Sequence, residues 1–218
     1  MNRLLPFLLA LGLLQARVSA EDNPAAFFRI DCTKAPECET FARRARALCE
    51  EWYPRINELL FGKGARLPHD EVLLTFEPMD APAITRRNTI RISAQHVLAQ
   101  SPPDDGLVIA ELTRVVQSYR GEGEPWLSEG IADYVRHRYF EPGKWDRRLT
   151  TAHPHYKQGH QTAAAFLFWI EERKFPDIVK FMNTACRSAT YKREMWQEKC
   201  GAPLDDLWAE FMAGQGRK

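Results

Sequence analysis

Two stretches of this 218-residue chain concentrate side chains able to do chemistry. The first, Ile109-Ala110-Glu111-Leu112-Thr113-Arg114-Val115-Val116-Gln117, sets a carboxylate and a guanidinium three residues apart. On a helix that spacing lets the two pair along the surface, for about 0.2–0.5 kcal/mol. The second, Trp126-Leu127-Ser128-Glu129-Gly130-Ile131-Ala132-Asp133-Tyr134, offers Ser128, Glu129 and Asp133. A serine hydrolase built on Ser128 and Asp133 is disfavoured. There is no Gly-x-Ser-x-Gly elbow, and Glu129 follows Ser128 where a small residue beside an oxyanion-hole amide is expected. The histidines are His69, His96, His137, His153, His155 and His160. His153-Pro154-His155 with His160 has the residue types of a metal site without a firm ligand spacing, and reads as exposed loop. His137, between Arg136 and Arg138, reads as part of a solvated helix face.

The elements that must position these residues follow from periodicity. Phe27 to Asp31 reads as a short strand. From about Glu39 to Leu60, Phe41, Ala45, Leu48, Cys49, Trp52, Ile56 and Leu60 share one helical face, with Pro54 expected to bend the helix and Gly62 and Gly64 to end it. Glu71 to Glu77 and Asn88 to Ser93 read as two further strands. The chain then turns helical: Leu107 to Tyr119, Pro125 to about Phe140, and, after a polar loop from Glu141 to Gly159, about 161–173, 176–187 and 203–213, with a shorter turn near Lys192 to Gln197. Strands first and helices afterwards predict a single α+β domain with a small N-terminal sheet. Leu48, Trp52, Ile56, Leu73, Ile90, Ile92, Leu112, Val116, Ile131, Phe166, Leu167 and Trp208 are its expected core.

Lys and Arg total 30 against 29 Asp and Glu, so neither a nucleic-acid partner nor acidic disorder is implied. Arg3, the apolar run Leu4 to Leu14 and Val18-Ser19-Ala20 form the pattern of a signal peptide over residues 1–20. The run is too short to span a bilayer core of about 30 Å. Cleavage after Ala20 would leave residues 21–218 as a near-neutral secreted or periplasmic domain with no membrane attachment. In an oxidising compartment the cysteines are expected to pair locally, Cys32 with Cys38 and Cys186 with Cys200, leaving Cys49 as a buried thiol; Cys32 with Cys49 is the alternative.

A co-linear series of landmarks resembles the basic secretory protein family of plants and bacteria, whose members look like zinc peptidases of the gluzincin type. It comprises Ala47-Leu48-Cys49-Glu50-Glu51-Trp52-Tyr53-Pro54, Thr89-Ile90-Arg91-Ile92-Ser93, Val115-Val116-Gln117, Trp126 to Arg136, Thr162-Ala163-Ala164-Ala165-Phe166-Leu167 and Leu207-Trp208-Ala209-Glu210-Phe211. The resemblance spans about Ile30 to Gly214 and implies a zincin-like domain. In the family the first functional helix carries His-Glu-x-x-His, two zinc ligands on one face with the Glu activating the metal-bound water. Here Ala110 and Arg114 stand at the two ligand positions, Glu111 at the general-base position, Glu129 at the third-ligand position and Asp133 at the position that orients a ligand histidine. Tyr134 and His160 are further candidates to line the cleft.

The resemblance thus implies the fold while the residues argue against the activity. Alanine cannot ligate, and arginine stays protonated and offers no lone pair. No zinc or other cofactor is expected, and without the metal Glu111 has no activated water. The leading expectation is a secreted non-catalytic homologue, its former cleft a groove for a peptide or protein or an inert scaffold. Two alternatives stay open: an active metallopeptidase using non-standard ligands such as Glu129 with a loop histidine, and a structural envelope protein. Arg114 is expected to stand in for the metal, pairing with Glu129 and with Glu111.

Overall fold

A computed structural model describes residues 27–120, 124–145 and 155–215. The signal segment at residues 1–20 and His153 lie outside the described residues.

Alternation of buried and exposed side chains builds the sheet. β1 (Phe27–Asp31) runs parallel to β2 (Glu71–Glu77), and β2 runs parallel to β4 (Thr89–Ser93). β3 (Ala83–Arg86), not anticipated from the sequence, pairs antiparallel with β4, giving the order β1-β2-β4-β3. Parallel neighbours need a long crossover. α1 (Glu39–Phe61) supplies it between β1 and β2, entered through a 3₁₀ turn at Pro36–Cys38. Pro54 lies within α1 on its exposed side, and Gly62 ends the helix at φ 96°. Glycine adopts that backbone at little cost.

The remaining elements are helical, as the α+β expectation requires. They are α2 (Ala94–Ala99), α3 (Asp105–Gln117), α4 (Pro125–Val135) with a π-helical turn at Arg136–Phe140, α5 (His160–Arg173), α6 (Ile178–Arg187), α7 (Met195–Cys200) and α8 (Leu204–Gln215). α3 is central: it packs on α1, α4 and β3, and every residue from Val108 to Gln117 except Arg114 is buried. The Asp104 side chain caps its N-terminus by accepting from the Leu107 amide at 3.1 Å. α4 and α5 approach closely because Gly130 carries no Cβ; one built there would lie 2.7 Å from Ala163 Cβ. Trp126, Tyr156, Phe166, Trp208 and Phe211 form a continuous aromatic cluster that ties α4 and α5 to α8. Among the described residues no helix is long and apolar enough to cross a membrane.

Nine of the expected core residues are buried: Ile56, Ile90, Ile92, Leu112, Val116, Ile131, Phe166, Leu167 and Trp208. Leu48, Trp52 and Leu73 are only partly buried. α1 turns Cys49 and Tyr53 inward instead, and Trp52 packs edge-on against Phe140 at 5.3 Å. β2 sends Val72, Leu74 and Phe76 to the core, so Leu73 falls on its other face.

The disulfide expectation is corrected. Cys32, Cys38, Cys49, Cys186 and Cys200 are all free thiols. Cys38 points into the core while Cys32 stays partly exposed; likewise Cys186 is buried and Cys200 is not. Cys49 is buried as expected. Burial pushes its thiol pKa far up, which suits an inert packing residue.

Candidate functional site

α3, α4, the start of α5 and β3 enclose a cleft of about 770 Å³. Ala110, Glu111 and Arg114 line it from α3, Ser128, Glu129 and Asp133 from α4, His160 from α5 and Thr85 from β3. The residues singled out on two separate sequence stretches therefore meet in one place. Tyr134 does not join them. It is 2% exposed on the far side of α4, where its hydroxyl donates to Glu171 and its ring packs on Phe168 at 4.6 Å.

Glu111 is 3% exposed, so its pairing with Arg114 is not a surface contact. One carboxylate oxygen, Oε1, accepts from Arg114 Nη1. The other, Oε2, accepts from the Thr85 hydroxyl at 2.6 Å. Thr85 was missed from the sequence because the four-residue strand that carries it gave no signal.

Arg114 does not reach Glu129, contrary to expectation: no ion pair forms between them. His160 stands between the two. Arg114 Nη2 lies 3.4 Å from His160 Nδ1, and His160 Nε2 lies 3.3 Å from Glu129 Oε2. A guanidinium can only donate, so Nδ1 accepts and the ring proton sits on Nε2, facing the carboxylate. The imidazole thus relays the Arg114 contact to Glu129. Glu129 and His160 are both substantially exposed, so this end of the chain is solvated.

Ser128 has a structural job. Its hydroxyl donates to Gln117 Oε1 at 2.9 Å, while Gln117 Nε2 donates to the Ser128 carbonyl at 3.0 Å. This reciprocal pair locks the end of α3 to the start of α4. It also leaves Ser128 facing an amide rather than a base, as the missing elbow motif implied.

Asp133 is 8% exposed and lines the cleft. Burial pushes its carboxyl above the ordinary carboxylate range, against the pull of His160, Arg136 and Arg114; Glu111 pushes the same way as burial. Arg136, also missed, lies between Asp104 at 2.9 Å and Glu141. Burial opposes its charge, but Glu141 and Asp104, with Asp133 adding, overcome that and hold its pKa above the usual guanidinium value. His137 is not on a solvated face. It is 8% exposed and stacks on Trp145 at 4.6 Å, and burial, with Arg136 adding, pushes its pKa down to about 4.

The donor set does not fit a zinc ion at the cleft floor. Ala110 has no lone pair to offer, Arg114 brings a positive charge to the cleft floor, and both Glu111 oxygens are engaged. Among the described residues no three His, Cys, Asp or Glu side chains converge as a metal requires.

No match was found among curated proteins or among solved structures. The family model described as peptidase of plants and bacteria matches residues 38–211. That span runs from the entry of α1 to α8 and contains the whole cleft. The chain therefore belongs to this peptidase family of plants and bacteria, the basic secretory protein family.

Proposed function

We propose that this protein is a secreted, non-catalytic homologue of a zinc peptidase, and that it holds a peptide or protein segment in the cleft between β3, α3, α4 and α5. One observation carries the reading: Arg114 occupies the Glu111 carboxylate on the cleft floor. A catalytic zinc needs three protein ligands and a water, and a general base needs a free carboxylate. Ala110 and Arg114 remove the first condition, and the Arg114 and Thr85 contacts remove the second. Binding survives the loss of chemistry because the cleft itself is intact. β3 is the edge strand of the sheet and lines the cleft, so its outer backbone groups are placed to pair with an extended chain.

The test is metal analysis of the purified secreted chain, with peptide cleavage assayed with and without chelator. No zinc and no cleavage are expected. Ala110→His combined with Arg114→His should restore zinc binding if Glu129 remains placed to serve as the third ligand. A well-folded double variant that binds no zinc would show that the cleft has diverged beyond two side chains. The His160–Glu129 contact at 3.3 Å favours a second reading, a peptidase with non-standard ligands. Stoichiometric zinc in the unmodified chain, with chelator-sensitive cleavage, would establish that reading instead. A chain that neither cleaves nor binds peptides would point to a structural envelope role.

A further inference from the structure

Each cleft carboxylate but one has a partner. Glu111 is held by Arg114 and Thr85, and Glu129 by His160. Asp133, though nearly enclosed by the fold, accepts no hydrogen bond and makes no ion pair with any described residue. The nearby cations are already committed. Arg114 is turned to Glu111, and Arg136 to Asp104 and Glu141.

A buried polar group without a partner is uncommon and costs free energy. Here the unpaired oxygen atoms border a cavity large enough to admit a side chain and its flanking backbone. The walls of the same cleft include Leu107, Pro125, Ile84 and Trp145, apolar surface suited to covering an alkyl stem. A carboxylate without a partner in a cleft that also offers apolar wall is complementary to a long side chain tipped with a cation.

We propose that Asp133 anchors a protonated amino or guanidinium group, and that the cleft selects peptide segments carrying lysine or arginine. This rests on the cleft being a peptide-binding groove, as argued above. The anchor strengthens as Asp133 ionises. Glu111 and Arg114 on α3, Arg136 on the π-helical turn and His160 on α5 are the charged and titratable groups that face it. A bound cation adds to the pull of Arg114, Arg136 and His160, drawing the carboxyl back toward its charged form.

The experiment has two arms on the full secreted chain. In the first, calorimetry compares a capped pentapeptide with central lysine against the same peptide with norleucine, which has the same stem and no charge. In the second, n-butylamine, which has no peptide backbone, is titrated while cleft resonances are followed by NMR. The lysine peptide is expected to bind about tenfold or more tightly, the scale of a charge-assisted hydrogen bond. Asp133→Asn should abolish that preference and the n-butylamine response while retaining the norleucine peptide. Should that variant misfold, the unmodified chain still answers. Its lysine preference must fall as pH drops through the Asp133 titration. Butylamine binding that needs Asp133, with no peptide binding, would keep the anchor and remove the groove reading. Peptides bound without preference, and no butylamine response, would overturn the anchor and leave the groove. No binding in either arm overturns both.

Discussion

Arg114→Met keeps the aliphatic stem and deletes the charge that faces Glu111. The carboxylate it leaves is 3% exposed, with the Thr85 hydroxyl at 2.6 Å as its remaining side-chain donor. Breaking a buried pair from one side typically costs 3–5 kcal/mol, because the surviving charge loses its compensation. The Arg114 side chain is 20% exposed toward the cleft, so water can enter where the guanidinium was. That places the expected loss at about 2–4 kcal/mol, a large part of the 5–15 kcal/mol that holds a domain folded. Adding Glu111→Gln removes the stranded charge and should restore at least ~1 kcal/mol of it. Equilibrium urea unfolding, followed by far-UV circular dichroism and tryptophan fluorescence, measures both variants; the transition slope must stay constant for the midpoints to be compared. A loss under ~0.5 kcal/mol would place the pair among ordinary surface ion pairs and refute the buried-pair reasoning. So would the absence of any recovery in the double variant.

Two further outcomes follow from the packing. His137 is held neutral, its pKa lowered to about 4 from the ordinary 6.5, so its contribution is present above 6.5 and lost as pH falls toward 4. That loss is worth up to about 3 kcal/mol. His137→Phe keeps the stack on Trp145 and should flatten the stability profile in that window; an unchanged acid limb between pH 6.5 and 4 would contradict it. The lowered carboxylates Asp31, Glu77 and Asp205 lose their contribution mainly in a more acidic window, whereas the lowered His69 and the raised Asp133 and Glu171 act in the same window, so the effect is read as the difference between the variant and the unmodified chain. Gly130→Ala puts a methyl 2.7 Å from Ala163 Cβ and 3.3 Å from its carbonyl carbon, forcing α4 from α5. Overpacking of this kind costs about 1–3 kcal/mol, less up to ~1 kcal/mol returned by alanine's helix propensity. Ala163→Gly in the same chain should recover the melting temperature, and its failure to do so would locate the strain elsewhere.

Legibility in the sequence tracked how local the determining forces were. α1 was readable almost to the residue because its apolar face repeats for over twenty residues and Gly62 stops it. β2 was legible in extent but not in facing. Val72, Leu73 and Leu74 are consecutive apolar residues, and only packing decides that Leu73 turns away. β3 was invisible. It is four residues long, follows Pro82, and joins β4 through Arg87-Asn88, a two-residue turn with Arg87 at φ 54°. Such turns are usually announced by Asn-Gly or Asp-Gly. α2, six residues capped by Ser93, was missed for the same want of length.

The same division runs through the cleft. Glu111 and Arg114 were legible as a pair because one helical turn joins them at no loop-closure cost. That local advantage is also why Arg114 fails to cross to Glu129: its shortest partner is on its own helix, and His160, delivered from 46 residues away, fills the remaining gap. No spacing rule could have placed that imidazole, since it depends on where the first residue of α5 packs. The result is three carboxylates in three electrostatic states. Glu111 is neutralised from within α3, Glu129 leans on an exposed imidazole, and Asp133 has no direct partner, only the longer-range pull of His160, Arg136 and Arg114. A cation entering the cleft gains least at Glu111, where it must displace an arginine, and little at Glu129, where water screens the charge. On the proposed reading it gains most at Asp133, which is nearly enclosed and has no hydrogen-bond or ion-pair partner among the described residues. On the proposed reading, recognition in this cleft is governed by the carboxylate that the fold leaves unpaired.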